Sequence, residues 1–162
     1  MRGVIHQGAG LIGGMMPTFE EYLKFEQSKK DFFNNLYRSL GFDIVSRKDC
    51  KEYDVILRKD KYKFKIEEKA RRGYWDDILV ETCQDTETNK QGWIYYCKAD
   101  FLVYGMFSDK PIVYRLPFKQ FQSWFFEHID ELKGNNSKDG WGKTEFKLAP
   151  ISSIGHLIKR LC

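Results

Sequence analysis

Apolar and basic residues alternate from residue 61 to residue 66, and this pattern predicts a half-buried strand. The apolar positions are Tyr62, Phe64 and Ile66, and the basic positions are Lys61, Lys63 and Lys65. The alternation continues, so Glu67 and Lys69 fall on the polar face while Glu68 falls on the apolar face. A second strand is predicted over residues 53–57, and the polar residues 58–61 are few enough to form a hairpin turn between the two.

The rest of the chain predicts an α/β fold with a mixed sheet flanked by helices. Apolar residues with helical spacing predict a long first helix over residues 18–40. Thr18 is a good start for this helix, and Gly41 terminates it. The nearly all-apolar stretch 101–107 predicts a central buried strand. The remaining predictions are strands over 42–45, 78–82, 112–116 and 143–148, a short helix or turn over 93–96, a helix over 118–132, a loop over 134–140, and a last short helix capped by Ser152 or Ser153 and running to Leu161.

Three polar side chains of the predicted hairpin form a candidate catalytic centre. A turn centred on Lys59-Asp60 puts Asp54 opposite Lys65, and therefore on the face that carries Glu67 and Lys69; a register change of one residue would move it to the other face. Two carboxylates, completed by a backbone carbonyl and waters, suit Mg²⁺ or Mn²⁺. Such a metal lowers the pKa of a bound water. A lysine beside it orients that water, helps to deprotonate it or stabilises negative charge.

We therefore predict Asp54, Glu67 and Lys69 as catalytic residues, with Asp54 and Glu67 as the metal ligands. Alternating glutamate and lysine also occur on ordinary solvated strand faces, where they attract each other across strands. This simpler interpretation stays open at the level of the sequence.

The order of a helix, a short strand, an Asp-bearing strand and a strand ending in Glu67-x-Lys69 resembles the PD-(D/E)xK nuclease superfamily. The spacing from Asp54 to Glu67 is similar to that of archaeal Holliday junction resolvases within it. The resemblance covers about residues 18–107. It implies a restriction-endonuclease-like mixed sheet flanked by helices, and Mg²⁺-dependent cleavage of DNA or, less often, RNA. Two features depart from the family: Tyr53 precedes Asp54 where proline is common, and no long helix is evident after Lys69.

The resemblance also implies accessory groups near the metal. The first helix of such nucleases can supply an extra acidic residue, for which Glu26 is the candidate, with Glu20 or Glu21 behind it. The alternative is that all three face water. Polar groups beyond the lysine are further candidates, here Glu81 and Gln84, against a structural or solvent-facing role.

Basic residues crowd around the candidate centre, although the net charge of the chain is only +4. Such a cluster contacts phosphates and makes binding weaken with salt; the alternative is a solubilising strand face. Trp75, or Tyr74 beside it, is a candidate to stack on an unpaired base, against the alternative of a partly exposed loop aromatic. The predicted nucleic-acid-binding residues are Lys61, Lys63, Lys65, Arg71, Arg72 and Trp75.

The length of 162 residues suits one nuclease-like domain, predicted over 17–162 after a glycine-rich flexible leader over 1–16. No apolar stretch is long enough to span a bilayer, so no membrane partner is predicted. The cysteines lack the spacing of a zinc site and are predicted to be free thiols in a reducing cytoplasm. They are Cys50, Cys83, Cys97 and Cys162.

These observations favour a metal-dependent nuclease that acts on nucleic acid, with DNA favoured, and they leave a homodimer open. The alternative is a non-catalytic nucleic-acid-binding or protein-binding module on the same fold. A different class of enzyme is disfavoured, because the chain contains no phosphate-binding glycine loop, no Gly-x-Ser-x-Gly and no metalloprotease motif.

Overall fold

Two β-sheets with helices around them make up the described part of the chain, which is residues 18–48, 50–139 and 142–162 of a computed structural model. The predicted leader over 1–16 lies outside the described residues. The helices are α1 (Phe19–Ser39), α2 (Trp93–Tyr96) and α3 (Phe118–His128), with a 3₁₀ turn at Ile151–Ser153. The strands are β1 (Asp43–Arg47), β2 (Val55–Lys59), β3 (Tyr62–Arg72), β4 (Asp77–Asp85), β5 (Lys90–Gln91), β6 (Phe101–Phe107), β7 (Ile112–Pro117), β8 (Gly134–Asp139), β9 (Gly142–Pro150) and β10 (Lys159–Arg160).

The first sheet is mixed and has the strand order β1-β2-β3-β6-β7-β10. β3 and β6 run parallel, and the other neighbours pair antiparallel. This arrangement confirms the predicted mixed α/β architecture with a sheet flanked by helices, and β3 and the strongly apolar β6 lie at its centre. A parallel pair needs a crossover, and β4, β5 and α2 lie within it.

α1 covers one face of this sheet. Thr18 and Glu21 form a reciprocal capping box at its start, and Gly41 follows its end with a φ of 83°, which a glycine adopts at little cost. Phe33 and Tyr37 point from the helix into an apolar cluster. The members that the sheet contributes are Val55, Leu57, Ile66, Ala70, Val103 and Val113.

The other face of the first sheet shares a core with a second, antiparallel sheet of order β5-β4-β9-β8. Ile78 and Val80 of β4 lie in one cluster with Leu102 and Tyr104 of β6. The backbone nitrogen of Leu79 donates to Tyr104 Oη at 3.1 Å. α2 and α3 add buried aromatic side chains to the same cluster. The second sheet therefore covers part of the face that carries the candidate site.

Two predictions for the C-terminal third were wrong. Residues 134–139 form β8 and pair with β9 from Gly134↔Lys147 to Asp139↔Gly142, whereas a loop was predicted over 134–140. Local turn-forming composition was overridden by pairing with a neighbouring strand. The predicted last helix is also wrong: a single 3₁₀ turn is followed by β10, which pairs with β7. No helix among the described residues is both long enough and apolar enough to cross a membrane.

Candidate active site

The hairpin of β2 and β3 sets the relative positions of the candidate residues. Its pairs run from Val55↔Ile66 to Lys59↔Tyr62, so the turn is centred on Asp60-Lys61, and Asp60 has a φ of 55°. The predicted turn at Lys59-Asp60 was therefore displaced by one residue, and the pairing register by two. Because side chains alternate with a period of two, a register error of two keeps every side chain on its predicted face.

Asp54 consequently lies level with Glu67 rather than with Lys65. Its backbone nitrogen donates to Ile66 O at 2.9 Å, and its Oδ2 accepts from the backbone nitrogen of Glu68 at 2.8 Å. Lys69 Nζ donates to Glu67 Oε1. The three predicted catalytic residues thus come together, with 5%, 4% and 0% of their surfaces exposed for Asp54, Glu67 and Lys69.

Burial and crowding of charge perturb this centre. Burial and the nearby negative charge of Asp54 outweigh the attraction of Lys69 and raise the pKa of Glu67 to about 7. Burial by itself lowers the pKa of Lys69, but the carboxylates of Glu67 and Asp54 outweigh it and raise that pKa above its usual value. The ammonium is therefore held as a cation, and the negative charge of Asp54 disfavours ionisation of Glu67.

A wall formed by β4 and α2 lies beside Lys69. The ring of Trp93 lies 5.3 Å from Lys69 Nζ. Gln84 Nε2 donates to Tyr96 Oη at 2.7 Å. Gln84 is also hydrogen-bonded to Glu81, and the positive charge of Lys69 interacts with the carboxylate of Glu81. Of the two predicted accessory residues, Glu81 lies near Lys69 and Gln84 is hydrogen-bonded to Glu81, whereas Trp93 and Tyr96 were missed.

Cys97 is also close to the centre. It is buried, and burial together with the charge of Glu67 raises the pKa of its thiol. All four cysteines are unpaired in the structure, as predicted.

The aromatic stretch 93–96 immediately before a cysteine was the sequence signal for the wall formed by β4 and α2, and such a stretch is equally typical of an ordinary core.

Glu26 of α1 is buried, with 8% of its surface exposed, so it does not face water. Within the described part of the chain its Oε1 has no hydrogen-bond partner. Burial raises the pKa of its carboxyl, and the charge of Asp54 adds to that effect. Glu20 and Glu21, in contrast, are exposed, and Glu21 caps the helix. Glu26 is therefore the one of the three whose position suits a role near Asp54.

The residue between the motif positions, Glu68, points to the opposite face and is completely buried. Arg47 binds it with both terminal nitrogens at 2.9 Å, Tyr37 Oη donates to it at 2.9 Å, and Arg47 Nε donates to Asn34 Oδ1 at 2.7 Å. The backbone nitrogen of Glu68 donates to Asp54 Oδ2. This network anchors β3 from the α1 side, and sequence analysis missed Arg47 and Tyr37 as contributors to it.

The predicted nucleic-acid-binding residues divide into two groups. Lys61, Lys63, Lys65 and Arg72 are exposed. Arg71 is buried and its guanidinium donates to Asp77 Oδ1 at 2.6 Å, so it does not face solvent with the other four basic residues. The second sheet covers this part of β3, which local sequence could not reveal.

The predicted stacking aromatics lie at the far end of β3. Tyr74 and Trp75 are exposed by 54% and 38%. The ring of Trp75 lies 4.2 Å from the guanidinium carbon of Arg71, and its Nε1 donates to Arg72 O at 2.9 Å. Intramolecular contacts thus cover part of the Trp75 side chain, and Tyr74 is the more exposed of the two.

The donor set restricts the kind of metal that fits this centre. Among residues 18–48, 50–139 and 142–162, no group of three or more His, Cys, Asp or Glu side chains is arranged to hold a metal ion. A cation here would take the carboxylates of Asp54 and Glu67 and complete its coordination with backbone and water oxygens, as Mg²⁺ commonly does. The oxygen donors of Asp54 and Glu67, and the negative charge that the two carboxylates carry together, fit such a hard cation.

Comparison with known proteins adds no assignment. No protein-family model matches this chain, and no curated protein matches it either.

Proposed function

We propose that the protein is a metal-dependent phosphodiesterase that cleaves nucleic acid, with DNA favoured over RNA, on a restriction-endonuclease-like fold. The observation that carries the proposal is the meeting of Asp54, Glu67 and Lys69 on one face of the β2–β3 hairpin, beside the wall formed by β4 and α2. A solvated face of alternating charges would leave these side chains in water. Here the three are almost completely buried. Burying charge is costly unless the charges are paired, and buried titratable groups with perturbed pKa values cluster at functional sites.

Each residue has a distinct role in this proposal. Asp54 and Glu67 would hold Mg²⁺ or Mn²⁺, which would lower the pKa of a bound water and neutralise charge on the phosphate. Lys69 remains cationic and donates a hydrogen bond, so it can orient the attacking water or stabilise the developing negative charge. Glu68 fixes Asp54 through its backbone nitrogen. Glu26 is available as an acceptor behind Asp54.

A row of exposed lysines supports nucleic acid as the substrate. Lys61, Lys63 and Lys65 occupy alternate positions of β3 or of its turn, on the same face as Glu67. Alternate strand residues are about 6.7 Å apart, so the row is about 13 Å long and ends about one such interval from Glu67. That length corresponds to about four base pairs of a DNA duplex. A phosphate backbone lying along the row would reach the candidate centre.

Cleavage assays test the proposal directly. Supercoiled plasmid, single-stranded DNA and RNA are incubated with Mg²⁺, Mn²⁺ or EDTA. We expect metal-dependent cleavage by the wild type that Lys69→Met loses and Lys110→Met retains, because Lys110 is exposed in the turn at the other end of the sheet. Thermal unfolding of all three proteins checks that they fold. Equal cleavage by wild type and Lys69→Met would refute the assigned role of Lys69.

The second candidate is a non-catalytic nucleic-acid-binding or protein-binding module on the same fold. The observation that favours it is the low exposure of Asp54, Glu67 and Lys69, which leaves little open surface for a scissile phosphate. A wild type that binds DNA through the lysine row in EDTA, yet cleaves neither DNA nor RNA with either metal, would favour this candidate. Calorimetric titration with Mg²⁺ then decides whether the carboxylates bind a cation at all.

A further inference from the structure

Tyr96 is the side chain on the α2 wall whose chemistry the roles above leave unused. Its Oη accepts a hydrogen bond from Gln84 Nε2 at 2.7 Å. Gln84 is in turn hydrogen-bonded to Glu81 of the same strand, β4. The phenol oxygen is therefore held from the β4 side by a polar chain of two residues. Tyr96 lies on the same short helix as Trp93, whose ring lies 5.3 Å from Lys69 Nζ.

The direction of this hydrogen bond leaves the phenol with a donor role. A hydroxyl group carries one proton and can accept as well as donate. Because the amide of Gln84 donates to the oxygen of Tyr96, the phenolic proton is not consumed by that bond. Burial raises the pKa of Tyr96, and together with the charges of Glu81 and Glu67 it outweighs the opposing charge of Lys69, so the phenol stays protonated.

Tyr96 is also accessible enough to meet a ligand. Its side chain is half-buried, whereas Trp93 on the same short helix is almost completely buried. Its ring packs against the core cluster shared by the two sheets. The ring thus has a packing role, and the hydroxyl has a separate polar one that a change to phenylalanine would remove alone.

We propose that Tyr96 Oη donates a hydrogen bond to a nonbridging oxygen of the substrate phosphate and is a further catalytic residue of this site. This inference rests on the proposed phosphodiesterase function. Attack of water on a phosphodiester builds negative charge on the nonbridging oxygens, and a fixed neutral donor stabilises that charge without adding a second buried cation beside Lys69. Gln84 and Glu81 act through Tyr96 and are positioning residues.

The test compares Tyr96→Phe with Tyr95→Phe, its neighbour on α2, whose side chain is exposed. Cleavage of a duplex oligonucleotide is measured at saturating substrate and over a range of Mg²⁺ concentrations, together with thermal unfolding. We expect Tyr96→Phe to slow cleavage by about 100-fold or more, as loss of a preorganised donor does in other enzymes. Its Mg²⁺ dependence and melting temperature should stay close to those of wild type, and Tyr95→Phe should cleave normally.

A substrate with one nonbridging oxygen replaced by sulfur separates catalysis from packing. Sulfur accepts hydrogen bonds poorly, so one of the two phosphorothioate isomers should be cleaved more slowly by wild type, and that extra slowing should be smaller in Tyr96→Phe. Wild-type rates for Tyr96→Phe, or an unchanged sulfur effect, would overturn this inference while leaving the proposed function intact. A wild type that cleaves no nucleic acid would overturn both.

Discussion

Replacing Arg47 by methionine tests the network that anchors the centre of β3. Arg47 donates to both carboxylate oxygens of Glu68 at 2.9 Å. The side chain of Glu68 is completely buried, and that of Arg47 is 24% exposed. Arg47→Met would leave a buried carboxylate with Tyr37 as its remaining hydrogen-bond donor among the contacts described above. The apolar stem of the side chain would be largely preserved.

The expected loss of stability follows from this burial. Removing one partner of a fully buried ion pair costs about 3–5 kcal/mol. The partial exposure of Arg47 and the remaining bond to Tyr37 place this case at the lower end, about 3 kcal/mol. For a chain of this size each kcal/mol lowers the melting temperature by about 2–4 °C, so Arg47→Met should melt about 6–12 °C below wild type.

Arg58→Met is the matched control, because Arg58 also pairs with a carboxylate at 2.9 Å, that of Asp43, but both side chains are at least half exposed. Exposed pairs contribute little, so the control should change the unfolding free energy by less than about 1 kcal/mol. Thermal and urea unfolding measure both variants. Equal shifts for Arg47→Met and Arg58→Met would refute the reasoning. Adding Glu68→Gln to Arg47→Met should recover part of the loss, because the buried charge is then removed.

Three further predictions concern the charge, the surface and the backbone around the site. In metal-free buffer the folded protein holds the proton of Glu67 more tightly than the unfolded chain does, so this group's contribution to stability falls as the pH rises from about 4.5 to about 7. Urea unfolding should show wild type losing stability relative to Glu67→Gln over that range, and saturating Mg²⁺ should remove the trend. Lys63→Gln should reduce the slope of log K against log salt for duplex binding in EDTA by about 0.9, whereas Lys110→Gln should leave it unchanged. Gly92→Ala should lower the melting temperature markedly, because its Cβ would collide with the backbone carbonyl of Glu81, while Gly155→Ala, which meets only open space and one atom at 3.8 Å, should not.

The sequence predicted the face of each motif residue better than it predicted the hairpin register. Lys59-Asp60 and Asp60-Lys61 are equally polar, so composition did not distinguish the two turns. The alternation of β3 fixed which residues share a face, and an even register error preserved that result. The meeting of Asp54 with Glu67 was therefore predictable, although the level at which they meet was not.

Contacts between elements distant in the sequence were not predictable in the same way. Glu26 and Arg71 carry charges that normally remain in water, and both are buried because of what packs against them. Asp77 pairs with Arg71, and β4 begins at that residue. The loop-like composition of residues 134–139 likewise gave no sign of their pairing with β9. The pairing of Arg71 and the strand at residues 134–139 depend on the second sheet, and the burial of Glu26 depends on how α1 packs; local patterns along single elements reveal neither.

Burial increases along β3, so the charged residues of one alternating pattern lie in different environments: exposed lysines, the buried pair Glu67 and Lys69, and the buried Arg71. β3 is 11 residues long, about twice the mean length of a strand, and its first half is open to solvent while its second half is covered. Lys63 and Lys65 lie on the open part, and Arg71 lies on the covered part, where it needs Asp77 as a partner. Glu67 is the second residue of the covered part, and Lys69 lies two residues farther along it and is completely buried. The start of the covered part thus adjoins the lysines of the open part, and its low dielectric strengthens electrostatic interactions, so this position along β3 would favour the proposed catalysis by Glu67 and Lys69.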